Sequence, residues 1–375
     1  MPSPPGPVGG GAAQIVRAIT DDRQNLLLLF VPLSIALDVA GAADLWLFAT
    51  AALAVVPLAG LIGRATEDLA EHVGPGLGGL LNATFGNGAE LLIGGFALQA
   101  GLVNVVKASL SGSIIGNLLL VLGVAIVAGG WGRDIQRFSA TSAGAQTSML
   151  FLAVVALVMP AVYALTILHN LTATNEPLEV LSLLSAIVLL IAYVAGLWFS
   201  LRTHRDVFRG EGTATTTHEP ASMSAGAAAV LLAIATALTA VAAEILVGSI
   251  EQFAHALGLT DLFVGMVVVA IVGNAAEHWS AVMIARGGNM QLAMNIAKSS
   301  SVQIALLVAP LLILASWAIG RPMSLVFHPF ELFGIALAVG AAGLVSIDGE
   351  THWFEGVLLL AVYALLAIAI FFVPS

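Results

Sequence analysis

Apolar residues in this chain do not alternate with polar ones. They run together in long blocks that stop at charges, prolines or glycine clusters. About 20 residues of helix cross the roughly 30 Å of bilayer hydrocarbon. That ruler predicts spans at 26–41, 45–63, 78–100, 104–130, 146–168, 178–201, 226–250, 262–286, 290–319, 330–347 and 354–373. The expected fold class is an all-α polytopic membrane protein with about eleven transmembrane helices. The first span is short and carries Asp38, which is expected near the surface. Pro160 and Pro310 fall inside spans and predict kinks.

Composition sharpens this picture. The chain is 59% hydrophobic and 9% charged, with mean hydropathy +1.02, outside the range of soluble domains. It has no cysteine, which excludes disulfides and thiolate metal ligands, and its net charge of -10 gives no reason to expect a nucleic-acid partner. The Pro/Gly-rich start lacks the basic region, short apolar run and cleavage site of a signal peptide.

Basic residues set the orientation, because cytoplasmic loops collect Lys and Arg. With a cytoplasmic N-terminus, Arg17, Arg23, Arg64, Arg133, Arg137, Arg202, Arg205, Arg209 and Arg286 all fall on the cytoplasmic side, and only Arg321 falls opposite. The odd span count then puts the C-terminus outside. The small, Ala/Gly-rich chain suggests a prokaryotic plasma membrane. The polar stretch 202–225 reads as a flexible cytoplasmic linker. It divides the chain into an N-terminal tail and first helix (1–44), a first half (45–201), and a second half (226–375).

The two halves share a motif. "GNGAE" at Gly86 to Glu90 returns as "GNAAE" at Gly273 to Glu277, matching in four of five positions. Each copy is followed by a Ser cluster and an apolar run, "SLSGSIIGNLLLVLG" from Ser109 and "SSSVQIALLVAP" from Ser299. The copies lie five spans apart and so run in opposite directions. One leading helix plus two inverted five-helix repeats is a transporter architecture, with the substrate site at the midplane between repeats.

The motif residues suit a cation. A carboxylate inside a span costs about 2.5–3.5 kcal/mol even on insertion scales, so it needs a reason to be there. Residues three or four apart share a helix face, which groups Asn82, Gly86 and Glu90 with Asn87 close by, and Gly273, Asn274, Glu277 and Ser280 in the second copy. Gly86 and Gly273 let an ion or a helix approach backbone, and Asn offers a neutral amide oxygen. Glu90 and Glu277 facing each other make an all-oxygen site suited to a hard cation such as calcium, with no other metal or cofactor implied. Two such carboxylates cannot both stay ionised when empty and must hold protons or a cation. Taking each in turn, in opposite directions across the membrane, is antiport.

The chain resembles the calcium/proton exchangers of the calcium/cation antiporter superfamily. The resemblance is carried by "GRATEDLAEHVGPGLGGLLNATFGNGAELLIGGFAL", "VVKASLSGSIIGNLLLVLG" and "GNAAEHWSAVMIA" with "SSSVQIALLVAP". It implies that Glu90 and Glu277 are the cation ligands, that Asn87, Asn274, Ser113 and Gln303 line the site or its access paths, and that the partners are calcium ions and protons.

Other polar residues carry open readings. His278 points about a third of a turn from Glu277, as a proton relay or as a packed, hydrogen-bonded side chain. Lys107 is expected to snorkel to the external interface. Lys298 either pairs with a carboxylate or reaches the cytoplasmic side. Glu244 is an entry-path ligand or one member of a polar pair. Glu67, Asp68 and Glu71 are expected to form a short acidic helix at the cytoplasmic mouth, or a solvated connector. The rival functions are exchange of sodium or manganese, an intramembrane metalloprotease, and a channel. No H-E-x-x-H is present, and adjacent Glu277 and His278 cannot present both groups to one metal as i and i+4 residues can. Firmly binding paired carboxylates argue against fast conduction.

Overall fold

The computed structural model describes residues 10–73, 78, 81–82, 84–170, 175–203 and 221–374. The tail before Gly10, most of the expected linker with Arg205 and Arg209, and several residues at the start of the expected third span lie outside them.

The apolar blocks become helices. In chain order they are α1 (Gly11–Thr20), α2 (Phe30–Val39, preceded by the 3-10 turn Arg23–Leu29), α3 (Asp44–Val73), α4 (Gly88–Ala100), α5 (Val103–Gly130) and α6 (Ala140–Ile167). There follow α7 (Glu176–Thr203), α8 (Ala225–Gly248), α9 (Ile250–Leu257), α10 (Asp261–Gly273) and α11 (Ala275–Arg286). Last come α12 (Met290–Ala318), α13 (Pro329–Leu344) and α14 (Trp353–Phe371). Among the described residues α3, α5, α6, α7, α8, α12 and α14 are each long and apolar enough to cross a membrane, so the chain is a multi-pass membrane protein. α4 and α13 are shorter apolar helices, and α9 meets α10 at 114°.

The helices divide into an inner set and a lipid-facing set. The central stretch of α5 is 83% buried inside the protein, whereas that of α7 or α14 is only 22% buried. Close helix contact at the centre depends on glycine. A Cβ on Gly112 of α5 would stand 2.0 Å from the Met266 carbonyl oxygen of α10, and one on Gly265 would stand 2.6 Å from Ala108 Cβ. Small residues on both faces let these backbones meet, the usual device for helix association in lipid. A two-residue antiparallel ribbon, β1 (Gln136–Arg137) with β2 (Glu350–Thr351), joins the α5–α6 loop to the α13–α14 loop. Arg137 and Glu350 pair at 3.0 Å on its surface.

Two expected boundaries shift. The second helix does not stop at residue 63: no Pro or paired Gly follows, "RATEDLAEHV" consists mostly of good helix formers, and α3 runs on to Val73. Glu67, Asp68 and Glu71 are therefore the last turns of α3 and not a separate short helix. The expected span 262–286 is broken at Asn274, where α10 gives way to α11. Wide π-type turns occupy Gly116–Val121 of α5, Val264–Val269 of α10 and Ile304–Val308 of α12. The last is followed by Pro310, which has no N–H to donate to the preceding turn. Such turns concentrate at functional sites.

Candidate cation site

Both motifs fold the same way. In the first, Gly86 donates its N–H to Asn82 O at 2.8 Å, and Asn87, at φ -102° and ψ 24°, starts α4. In the second, Asn274, at φ -99° and ψ 10°, stands between α10 and α11. Each Asn is followed three residues later by the motif glutamate, so Glu90 and Glu277 both lie in the first turn of a helix. The positive end of each helix dipole favours a negative group there. The motif thus breaks a membrane helix and aims a fresh N-terminus, with its carboxylate, at the interior.

The two breaks meet. Glu90 lies against the second motif, with its Oε1 3.9 Å from where a Cβ on Gly273 would stand. Glu90 and Glu277 line one polar cavity of about 350 Å³, together with Gly86, Gly273, Ser280, Ser299, Ser300 and Gln303. Both glutamates are half-buried. The cavity also reaches Asp22, Asn25, Arg64 and Glu67, on the 3-10 turn before α2 and the end of α3.

Behind the wall, each motif Asn reaches across to the other half. Asn87 Nδ2 donates to Gln303 Oε1 of α12 at 2.6 Å, and Asn274 Nδ2 donates to Ser113 Oγ of α5 at 2.8 Å. Asn87, Asn274 and Ser113 are buried. They brace the site from behind, while Gln303 faces the cavity itself. Asn117 of α5 donates to Asn274 Oδ1 at 3.3 Å and to Ser300 Oγ at 2.8 Å, and the Ser300 hydroxyl in turn donates to Glu277. His278 Nε2 sits 3.1 Å from Asn117 Oδ1. Since that oxygen only accepts, Nε2 carries the proton. Sequence reasoning did not single out Asn117 or Ser300. The only available signal was their place in the run and the Ser cluster that follow the two motifs.

Several expected residues stand elsewhere. Glu244 is exposed on α8 and does not line the cavity. Lys298 is fully buried and touches neither motif glutamate: its Nζ donates to Ser346 Oγ at 2.6 Å, Thr147 Oγ1 at 3.0 Å and Ala143 O at 3.3 Å. Neither the ion pair nor the cytoplasmic snorkel holds, because three neutral oxygens satisfy all three of its N–H donors. Lys107 is half-buried, and Val326 O at 2.8 Å and Ser324 Oγ at 3.3 Å, both in the loop between α12 and α13, hold its ammonium. Of the acidic trio, Glu67 reaches the cavity. Asp68 is buried and accepts from Ser222 N at 2.6 Å and Ser222 Oγ at 2.8 Å.

The donor set is two carboxylates with hydroxyl and amide oxygens. Among the described residues no three His, Cys, Asp or Glu side chains stand close enough together to hold one metal ion. Hard cations are matched by such oxygens, and soft-metal ligands are missing from the cavity wall.

Known proteins resemble this chain over most of its length. The family described as "Sodium/calcium exchanger protein" matches residues 43–202 and 227–372. The chain belongs to this exchanger family. Among similar proteins, a Ca(2+)/H(+) antiporter of Synechocystis sp. is 44% identical, over 93% of this chain and 97% of the relative. The Ca(2+)/H(+) antiporter ChaA of Bacillus subtilis is 40% identical, over 92% and 99%. The solved structure of native YfkE superposes with a TM-score of 0.79 at 37% identity, covering 93% of this chain and 98% of that one. The crystal structure of an H+/Ca2+ exchanger, CAX, shares the exchanger fold at a TM-score of 0.71 and 18% identity, covering 96% and 92%.

Proposed function

We propose that this protein is a secondary active transporter that moves calcium ions across the cell membrane in exchange for protons, with Glu90 and Glu277 as the shared binding groups. The observation that carries the reading is that the two copies of the motif deliver their glutamates, from two helix N-termini, into one polar cavity. The names of the relatives as calcium/proton antiporters support the choice of substrates. Calcium is cargo here, and the reading calls for no resident cofactor.

The chemistry follows from charge. A divalent cation neutralises two carboxylates, and so do two protons, so the loaded site is neutral in either state. The bare site holds two like charges in one cavity and is disfavoured. Exchange of one load for the other is thereby favoured over return of an empty carrier. Ser299, Ser300 and Gln303 supply neutral oxygens, and the Asn87–Gln303 and Asn274–Ser113 bonds hold the two broken helices in register.

The two matched segments, 43–202 and 227–372, support the division into an inverted pair around a linker. The cavity mouth near Asp22, Arg64 and Glu67 belongs to the end that the basic residues assign to the cytoplasm, with a cytoplasmic N-terminus and an external C-terminus. This conformer then faces inward, and rocking of the flanking helices exposes the site to the other side.

Calcium-45 uptake into inside-out vesicles tests the reading. Uptake is expected with an inward-acid pH gradient, to vanish when the gradient is collapsed, and not to return with a sodium gradient. Uptake driven by sodium alone would replace protons as the counter-ion. Uptake without any gradient dependence would remove antiport.

A further inference from the structure

α12 has two polar faces, and only one is explained by the cavity. Ser299, Ser300 and Gln303 face the site. On the other side Gln291, Asn295 and Lys298, spaced four and three apart, form a stripe against α6. Gln291 Oε1 accepts from the Ser139 N–H, Asn295 Oδ1 accepts from Ser142 Oγ at 3.3 Å, and the Lys298 ammonium binds Ala143 O and Thr147 Oγ1. Its third bond, to Ser346 Oγ, reaches the segment after α13, and that hydroxyl also donates to Ala342 O at 2.5 Å. An ammonium in a span is costly, so a Lys kept there with three neutral acceptors and no paired carboxylate fixes geometry at a charge-assisted strength that a neutral side chain lacks.

We propose that Lys298 is a positioning residue for the cation site: by fastening α12 to α6 and to the segment after α13, it sets the rotation of α12 that puts Ser300 against Glu277 and Gln303 against Asn87. The geometry is direct. Residues two apart on a helix point about 200° apart, so Lys298 grips the scaffold behind while Ser300 meets Glu277 in front. A small rotation of α12 moves both site contacts at once. The first half contains a comparable grip, where Ser111 of α5 donates to buried Glu331 of α13 at 2.8 Å, and Ser113, two residues on, receives Asn274. Each helix that follows a motif is thus pinned from behind, two residues before the side chain that enters the site network.

The inference rests on the calcium-antiport reading, and its test separates the two. Apparent calcium KM and maximal rate are measured in vesicles for wild type, Lys298→Met, Ser300→Ala and the double variant. Lys298→Met is expected to raise KM about tenfold, the equivalent of one charge-assisted bond. In the Ser300→Ala background the same change is expected to add less than about twofold, because two residues acting through one contact are not additive. A KM equal to wild type, or a full tenfold increment in both backgrounds, overturns the proposal; a lone fall in assembled protein with KM unchanged assigns Lys298 to stability only and overturns it as well. Should Lys298→Met not assemble, Thr147→Ala with Ser346→Ala removes two of its acceptors and is expected to shift KM in the same direction. Calcium-induced thermal stabilisation of the purified variants gives the same cycle without transport. A failure of wild-type exchange therefore defeats antiport and leaves the positioning role tested by binding.

Discussion

The two motif regions have nearly the same sequence and the same broken-helix form, yet they hold their glutamates differently. Glu277 is gripped: Ser300 donates to it, Asn117 donates to Ser300 and to Asn274, and His278 closes the network. Glu90 instead lies along the bare backbone of Gly273, its Cγ 3.6 Å from where a Cβ there would stand, and no side-chain hydroxyl among the described residues grips it as Ser300 grips Glu277. The contrast teaches that one wall of the site is built in advance while the other can adapt. On the proposed exchange, the carboxylate with a hydroxyl donor would define where the cation sits, and the one without it would close on the ion or turn to take a proton.

This comparison can be broken most severely at the glutamates. Glu90→Gln and Glu277→Gln are each expected to abolish calcium/proton exchange while leaving the protein assembled, since an amide keeps the shape and removes the charge. Vesicle uptake together with size-exclusion profiles of the purified variants checks both halves of that statement. Retained exchange in either variant would show that the two groups do not act as one site.

The next largest effect separates the two glycines. A Cβ on Gly86 would stand 2.4 Å from the Asn82 carbonyl oxygen, so Gly86→Ala must shift backbone. On Gly273 it would meet Glu90 Cγ at 3.6 Å, an ordinary contact. Gly86→Ala is therefore expected to lower thermal stability by roughly 1–3 kcal/mol equivalent, and Gly273→Ala by much less. Its consequence falls instead on the space beside Glu90, and hence on calcium KM. Equal destabilisation of the two would contradict the asymmetry.

A smaller change is expected at the network behind Glu277. Asn117→Ala removes donors to two partners and is expected to raise calcium KM by about tenfold, the size of one or two buried hydrogen bonds. Asn87→Ala, which loses the bond to Gln303, is expected to do less. Steady-state uptake against calcium concentration ranks them, and the reverse order would shift the pre-built wall to the first motif. Smallest of all, Glu244→Gln on the exposed surface of α8 is expected to leave KM and rate unchanged.

Much of this was legible along the chain, because membrane helices announce themselves by length and the repeated Gly-Asn-x-Ala-Glu stands out against apolar surroundings. What the pattern hid has physical reasons. Asn117 and Ser300 sit in runs that read only as greasy or small, and their importance arises from meeting residues more than 150 positions away, at Asn274 and Asn117 respectively. The break at Asn274 was invisible because Gly, Asn and Ala are all tolerated within a helix, and only packing against the other half selects the turn. The continuation of α3 to Val73 lacked a stop signal to read. Lys298 misled in another way: a cation inside a span suggests a carboxylate partner or a water interface, whereas two hydroxyls and a backbone carbonyl from distant segments satisfy it.

The central claim is that Glu90 and Glu277 form one cation site. A structure determined with calcium present tests it most directly. The account predicts one ion in the cavity bridging both carboxylates, with Ser or Gln oxygens completing its shell. An ion bound at the Asp22 and Glu67 mouth alone, or held by only one of the two glutamates with the other turned away, would contradict it.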